Sequence, residues 1–263
     1  MLALGHLSGN TVHLQRFERF TTLADFGAWL ARPGDWVGGF DLPFGLPREL
    51  VLALGWPTEW AACMAHYASL TRPQLRGVFQ AFCASRPVGG KFAHRATDGP
   101  AGASPSMKWV NPPVAWMLHA GVPLLRAAGV HLPGLSDGDW RRVALEAYPG
   151  LLAREVLGGR RSYKSDDPKR QTAERRLARM DLLSALCRDA GATRLGLRLA
   201  LPQAAQKAVA DDGSGDLLDA TLCLLQAAWG QCRYAQGDRR YGMPSASDAL
   251  EGWILTAPFP SSG

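Results

Sequence analysis

No two cysteines stand in C-x-x-C spacing. The five present (Cys63, Cys83, Cys187, Cys223 and Cys232) are odd in number and scattered, which argues against a disulfide framework or a Cys-ligated zinc and fits a reducing, cytoplasmic setting. No apolar run approaches the ~20 residues of a spanning helix, and the opening Met1-Leu2-Ala3-Leu4-Gly5-His6 lacks the basic segment of a secretory leader. The histidines show no H-E-x-x-H spacing, Ser104 and Ser106 have no G-x-S-x-G context, and the paired glycines at 38–39, 89–90 and 158–159 form no P-loop. Secreted, membrane-spanning, zincin, serine-hydrolase and P-loop readings are set aside on these grounds.

What remains is a globular composition, 47% hydrophobic and 20% charged over 263 residues, with a net charge of +6. That length suits one domain with a sizeable core. Residues 160–179 carry eight basic residues against three acids, so nearly all the excess positive charge sits in one segment. The pattern begins with two short extended runs, 2–7 and 11–17, around Ser8-Gly9-Asn10, which reads as a β-hairpin. An amphipathic helix is expected at 22–31, a strand at 36–41 and a mostly helical insertion at about 48–138. A second strand follows at 142–148, a basic helix at 169–189, a helix from 216 to 229 and a last extended run at 252–255. Strands alternating with helices after a hairpin imply an α/β mixed sheet flanked by helices, whose site lies beyond the carboxyl ends of the parallel strands.

Two acids stand at such ends. Asp41 closes an apolar and glycine-rich strand, and Glu146 follows Val143-Ala144-Leu145. Asp216 and Asp219, three apart, share a helix face. Asp216 reads equally well as a helix-start cap. Asp219 sits among Leu217, Leu218, Ala220, Leu222 and Leu224, and a carboxylate in so apolar a helix costs several kcal/mol unless it is paired or metal-bound. Four converging carboxylates repel one another and suit Mg²⁺ or Mn²⁺, the cations of phosphoryl transfer. The basic segment, including Arg160, Arg161, Lys164, Arg175 and Arg176, then reads as the wall on which a nucleic-acid backbone docks.

The ordered motifs Gly39-Phe40-Asp41-Leu42-Pro43-Phe44-Gly45-Leu46-Pro47, Glu146-Ala147-Tyr148-Pro149, Asp216-Leu217-Leu218-Asp219-Ala220 and Glu251-Gly252-Trp253-Ile254 resemble the bacterial domain-of-unknown-function family 429. The resemblance implies a ribonuclease H-like fold, a single domain over 1–263, and nuclease activity with a divalent metal held by Asp41, Glu146, Asp216 and Asp219. It adds Lys164 to the catalytic set of Asp41, Glu146 and Asp219, and Arg95, in Arg95-Ala96-Thr97-Asp98, to the nucleic-acid contacts. In that family a central strand precedes the hairpin, so the expectation is a sheet whose first central strand is missing from these residues. Two other classes compete: a non-catalytic nucleic-acid or protein-binding module, and a sugar-kinase-like phosphotransferase, for which Leu4-Gly5-His6-Leu7-Ser8-Gly9 is a poor phosphate hairpin.

Overall fold

The computed structural model describes residues 1–189, 191 and 193–259. The chain is a mixed α/β structure in which helices pack around two three-stranded sheets. In the first, β1 (Leu2–Ser8) and β2 (Thr11–Glu18) form the expected antiparallel hairpin, and β6 (Arg198–Ala200) joins β2 in parallel. In the second, β3 (Trp36–Phe40) runs parallel to β5 (Asp139–Glu146), with Phe40 opposite Glu146, and the short β4 (Val130–His131) lies on the far side of β5. That register brings Asp41 and Glu146 out at the same end of the sheet.

Local chemistry explains most element limits. Helix α1 (Leu23–Leu30) starts at Thr22, whose hydroxyl accepts from the Asp25 amide at 3.1 Å. Between β3 and β5 the chain runs through α2 (Arg48–Ala53), α3 (Trp60–Ser69), α4 (Arg72–Ala84), α5 (Asp98–Ala101) and α6 (Val114–Ala127). Thr71 and Gln74 cap α4 reciprocally. These helices close on an apolar core that includes Leu50, Met64, Tyr67, Phe79 and Leu118. After β5, α7 (Pro149–Leu157) begins on proline and ends on Gly158 in the left-handed region. Helices α8 (Ala173–Arg188), α9 (Gln203–Asp211) and α10 (Asp216–Ala235) complete the chain's regular structure among the described residues. A second core joins them to the hairpin through Val12, Leu182, Leu199, Leu218 and Leu222.

Several features depart from the sequence reading: β5 spans Asp139–Glu146 where 142–148 was expected, and β6 and α9 stand where no element was expected. Helix α10 continues to Ala235, past the expected end at 229. Residues 252–255 form no strand. Instead the segment 248–257 lies as a strap across the sheet end: the Leu255 amide donates to the Glu146 carbonyl (2.8 Å), and the Ile254 amide donates to the Thr97 hydroxyl (3.0 Å). A single backbone carbonyl and a side-chain hydroxyl replace a ladder here, so apolar periodicity alone reads the segment wrongly.

Candidate functional site

Helix α10 comes close enough to β3 to set the site. A Cβ on Gly39 would stand 2.5 Å from the Cys223 carbonyl oxygen, so only glycine permits this approach. The helix starts on Gly215, at φ 79°, against the Lys164 side chain. Its first turn is capped from outside: Asp212 accepts from the Leu217 amide at 2.8 Å. Asp216 is therefore not the cap, and it stands exposed at the mouth. One turn on, Asp219 is 8% exposed. It accepts from the Tyr163 hydroxyl at 2.6 Å and from the Lys164 ammonium.

Asp41 follows β3 directly and is half-buried. Burial, and then the neighbouring Asp219 carboxylate, push its carboxyl up to about 7, with Lys164 pulling the other way. No described residue donates a hydrogen bond to it. Asp219 is also raised by burial, although Lys164 and the Tyr163 hydroxyl oppose the shift. Lys164, disfavoured by burial, is held above its ordinary range by Asp219 and Asp41, so it stays charged. The result is a carboxylate pair with one fixed cation and one side, at Asp41, where negative charge is uncompensated.

Glu146 does not join this pair as a ligand would. Its two oxygens receive Arg95 at 2.7 and 2.8 Å, and Oε2 also receives the Phe44 amide at 2.9 Å. Arg95 is 3% exposed and donates in addition to Asp98, through its backbone amide, Nε and Nη2. Glu146 and Asp98 together outweigh the cost of burying the guanidinium and keep it charged. Arg95 is thus an internal tie with Glu146 as its partner, and both residues border the cleft that Asp41 and Lys164 also line. Among the described residues, no three His, Cys, Asp or Glu side chains are grouped as around a single ion.

The basic segment divides. Arg160 is exposed with no ion-pair partner among the described residues, and Arg161 pairs with Asp181 at 2.6 Å. Arg175 donates to the Arg170 carbonyl, and Arg176 pairs with Asp211. Arg179 turns inward, donating to the carbonyls of Ala210 and Tyr163. Of this segment's basic residues, Arg160, Arg161 and Lys164 line a cleft of about 510 Å³, together with Asp41, Arg95, Glu146, Tyr148 and Arg154. Two features of the site escaped the sequence reading: the Tyr163 hydroxyl and the pairing of Arg95 with Asp98. Tyr163 gave no signal beyond adjacency to Lys164. The Arg95/Asp98 pair did give one, since opposite charges three apart in a short motif can meet.

Fold and site together define a mixed α/β protein with a carboxylate pair and a lysine at the carboxyl ends of parallel strands. The chain belongs to the family described as protein of unknown function (DUF429), whose model matches residues 2–241. The strap at 248–257 lies beyond that match. No curated protein and no solved structure matches the chain. Among the described residues no helix is long and apolar enough to cross a membrane.

Proposed function

We propose that the chain is a divalent-cation-dependent phosphodiesterase acting on nucleic acid in the cytoplasm, built on a ribonuclease H-like sheet. The observation that carries this reading is Asp41: a half-buried carboxyl beside a second carboxylate, with no hydrogen-bond donor among the described residues. Such a place suits a cation, and Mg²⁺ or Mn²⁺ is bound through one or two carboxylates with water filling the remaining positions. Asp41 and Asp219 would hold it, with the exposed Asp216 within reach of the rim. A cation there supplies Lewis-acid polarisation of a phosphoryl group and a lowered pKa for water. The protein's own part is positional. Tyr163 fixes the Asp219 carboxylate, Lys164 presents a permanent positive charge to a phosphate, and Arg160 and Arg161 extend that charge along the cleft.

The cation is tested by stability against pH. The raised carboxyl of Asp41 favours the neutral form in the fold. Its contribution is present at low pH and lost as pH rises from the ordinary 3.8 to about 7. The unfolding midpoint is therefore expected to fall over that window in wild type but not in Asp41→Asn, by about 2–4 °C per kcal/mol lost. Adding Mn²⁺ above pH 7 restores the wild-type midpoint and leaves Asp41→Asn unmoved. A pH profile identical in the two proteins removes Asp41 from the reading.

The cleft is tested by salt. Affinity for a single-stranded oligonucleotide is expected to fall with log salt by about 0.7 per phosphate contact. Arg160→Ala and Arg161→Ala together reduce that slope by about 1 or more, whereas Arg175→Ala leaves it unchanged. Equal slopes in all three proteins would place the nucleic acid elsewhere.

A further inference from the structure

The cleft beside Lys164 has two chemistries. Arg160, Arg161 and Lys164 make one part cationic, whereas Leu42, Pro112, Val114, Met117 and Tyr148 make another apolar. None of these five carries a charge, and the cation site uses none of them. Val114 and Met117, three apart on α6, share a face with Gly121, which lies against the Leu42 side chain. Leu42 follows Asp41 in the chain. The apolar wall therefore starts beside the carboxylate pair and runs about 5 Å, one helical turn, along α6 to Met117. Met117 is 38% exposed, and Pro112 is exposed as well.

Tyr148 is held as a plate. Its amide donates to the Gln226 side chain at 3.1 Å, and Gly150 stands against the ring. The Arg154 guanidinium lies over the ring, 5.2 Å from its centroid, and donates to the hydroxyl at 3.3 Å and to the Ala101 carbonyl. A side chain fixed in this way loses little freedom when a ligand packs on it.

Open apolar surface next to fixed positive charge asks for a ligand that is flat and apolar at one end and anionic at the other. A nucleotide has that form, and about 510 Å³ is the size of a small-ligand site. A base inside a duplex has both faces stacked and offers neither to a wall. A base outside the stack offers one. We propose that the cleft binds one unpaired nucleotide of a nucleic-acid strand, its base seated on the wall of Leu42, Val114, Met117 and Tyr148 and its phosphate at Arg160 and Lys164. Methionine adapts to bases of different shape, so the wall selects the unpaired state rather than a sequence. This inference rests on the nucleic-acid reading of the cleft and names the form of nucleic acid that it takes.

The test measures binding of labelled ligands by fluorescence anisotropy in EDTA, where no metal-dependent cleavage occurs, at about 0.15 M salt. The ligands are a strand of about 12 nucleotides, the same strand made abasic throughout, its duplex, and a mononucleotide. Each is titrated up to about 1 mM, a concentration that detects even weak binding. The strand is expected to bind about tenfold tighter than its abasic form, which carries the same phosphates, and tighter than the duplex. Met117→Ala, at a position exposed enough to spare the core, narrows the ratio of strand to abasic affinity by about threefold or more and leaves abasic binding unchanged. Arg160→Ala weakens both ligands alike and leaves the ratio as it was. Equal binding of strand and abasic strand overturns the base subsite while the phosphate reading of the cleft stands. A ratio preserved in Met117→Ala overturns the wall as its location. A duplex bound as tightly as the strand overturns the unpaired state, and a mononucleotide bound as tightly makes the ligand a free nucleotide and overturns the strand. If no ligand binds, the subsite and the nucleic-acid reading fall together. Base discrimination without cleavage under any metal keeps the subsite and refutes only the phosphodiesterase.

Discussion

Replacing Arg95 by methionine is expected to cost about 3–5 kcal/mol, because it strands Glu146 and Asp98 as buried carboxylates with no counter-charge. Both are almost fully enclosed: Asp98 is 0% and Glu146 3% exposed. Total stability of a domain is about 5–15 kcal/mol, so this one change removes a large share of it. The urea midpoint measures the loss. Adding Glu146→Gln to Arg95→Met removes one of the two stranded charges and recovers part of the midpoint. If Arg95→Met alone unfolds at the wild-type midpoint, the tie is not structural. Glu146 would then be free to act in the cleft.

The largest effect on activity belongs to Asp41. Removing outer-shell support from a metal site costs 10–100-fold, and a direct ligand contributes more. Asp41→Asn is therefore expected to lower Mn²⁺-dependent cleavage of single-stranded DNA or RNA by more than about 100-fold. At the same time it should raise the unfolding midpoint at pH 8, since the fold no longer carries an ionised carboxylate next to Asp219. Loss of activity with gain of stability is the signature of a group kept for function. Asp219→Asn is expected to lose activity as well, but without the gain, because it gives up the Lys164 pair. Cleavage that survives in both variants refutes the carboxylate-pair site. Absence of cleavage in wild type under every metal leaves a binding role and refutes the phosphodiesterase.

Parts of this site were legible before the structure, for physical reasons that differ by residue. Asp41 and Asp219 could be read because each breaks an apolar pattern, and an acid in such a place has to be accounted for locally. Glu146 broke a pattern in the same way, yet its pairing was not foreseen. Its partner, Arg95, lies 51 residues away in an irregular segment, and periodicity carries no information about such a contact. The same limit hid Tyr163, whose hydroxyl reaches a residue 56 positions on. The density of basic residues at 160–179 was plain, but its direction was not. Arg179 turns into the protein and Arg176 spends itself on Asp211, since facing is set by packing between α8 and α9. The strap at 248–257 is the clearest failure, because its bonds run to side chains and single carbonyls with no repeat to detect.

The strap also sets an order of events at the ribosome. Chains emerge N-terminal end first at about 5–20 residues per second. Arg95, Asp98 and Glu146 are all exposed to the cell before residues 248–257 are made. Yet Glu251 holds the amides of Arg48 and Ala96, its carbonyl accepts from Arg95, and the Leu255 amide holds the Glu146 carbonyl. For roughly 5–20 s after Glu146 is joined, the nascent protein carries its central ion pair without the cover that dries it. The two strands that present Asp41 and Glu146 are therefore sealed after translation reaches the strap, and a ribosome that stalls between 147 and 247 displays an open, unfinished site to every chaperone and protease nearby.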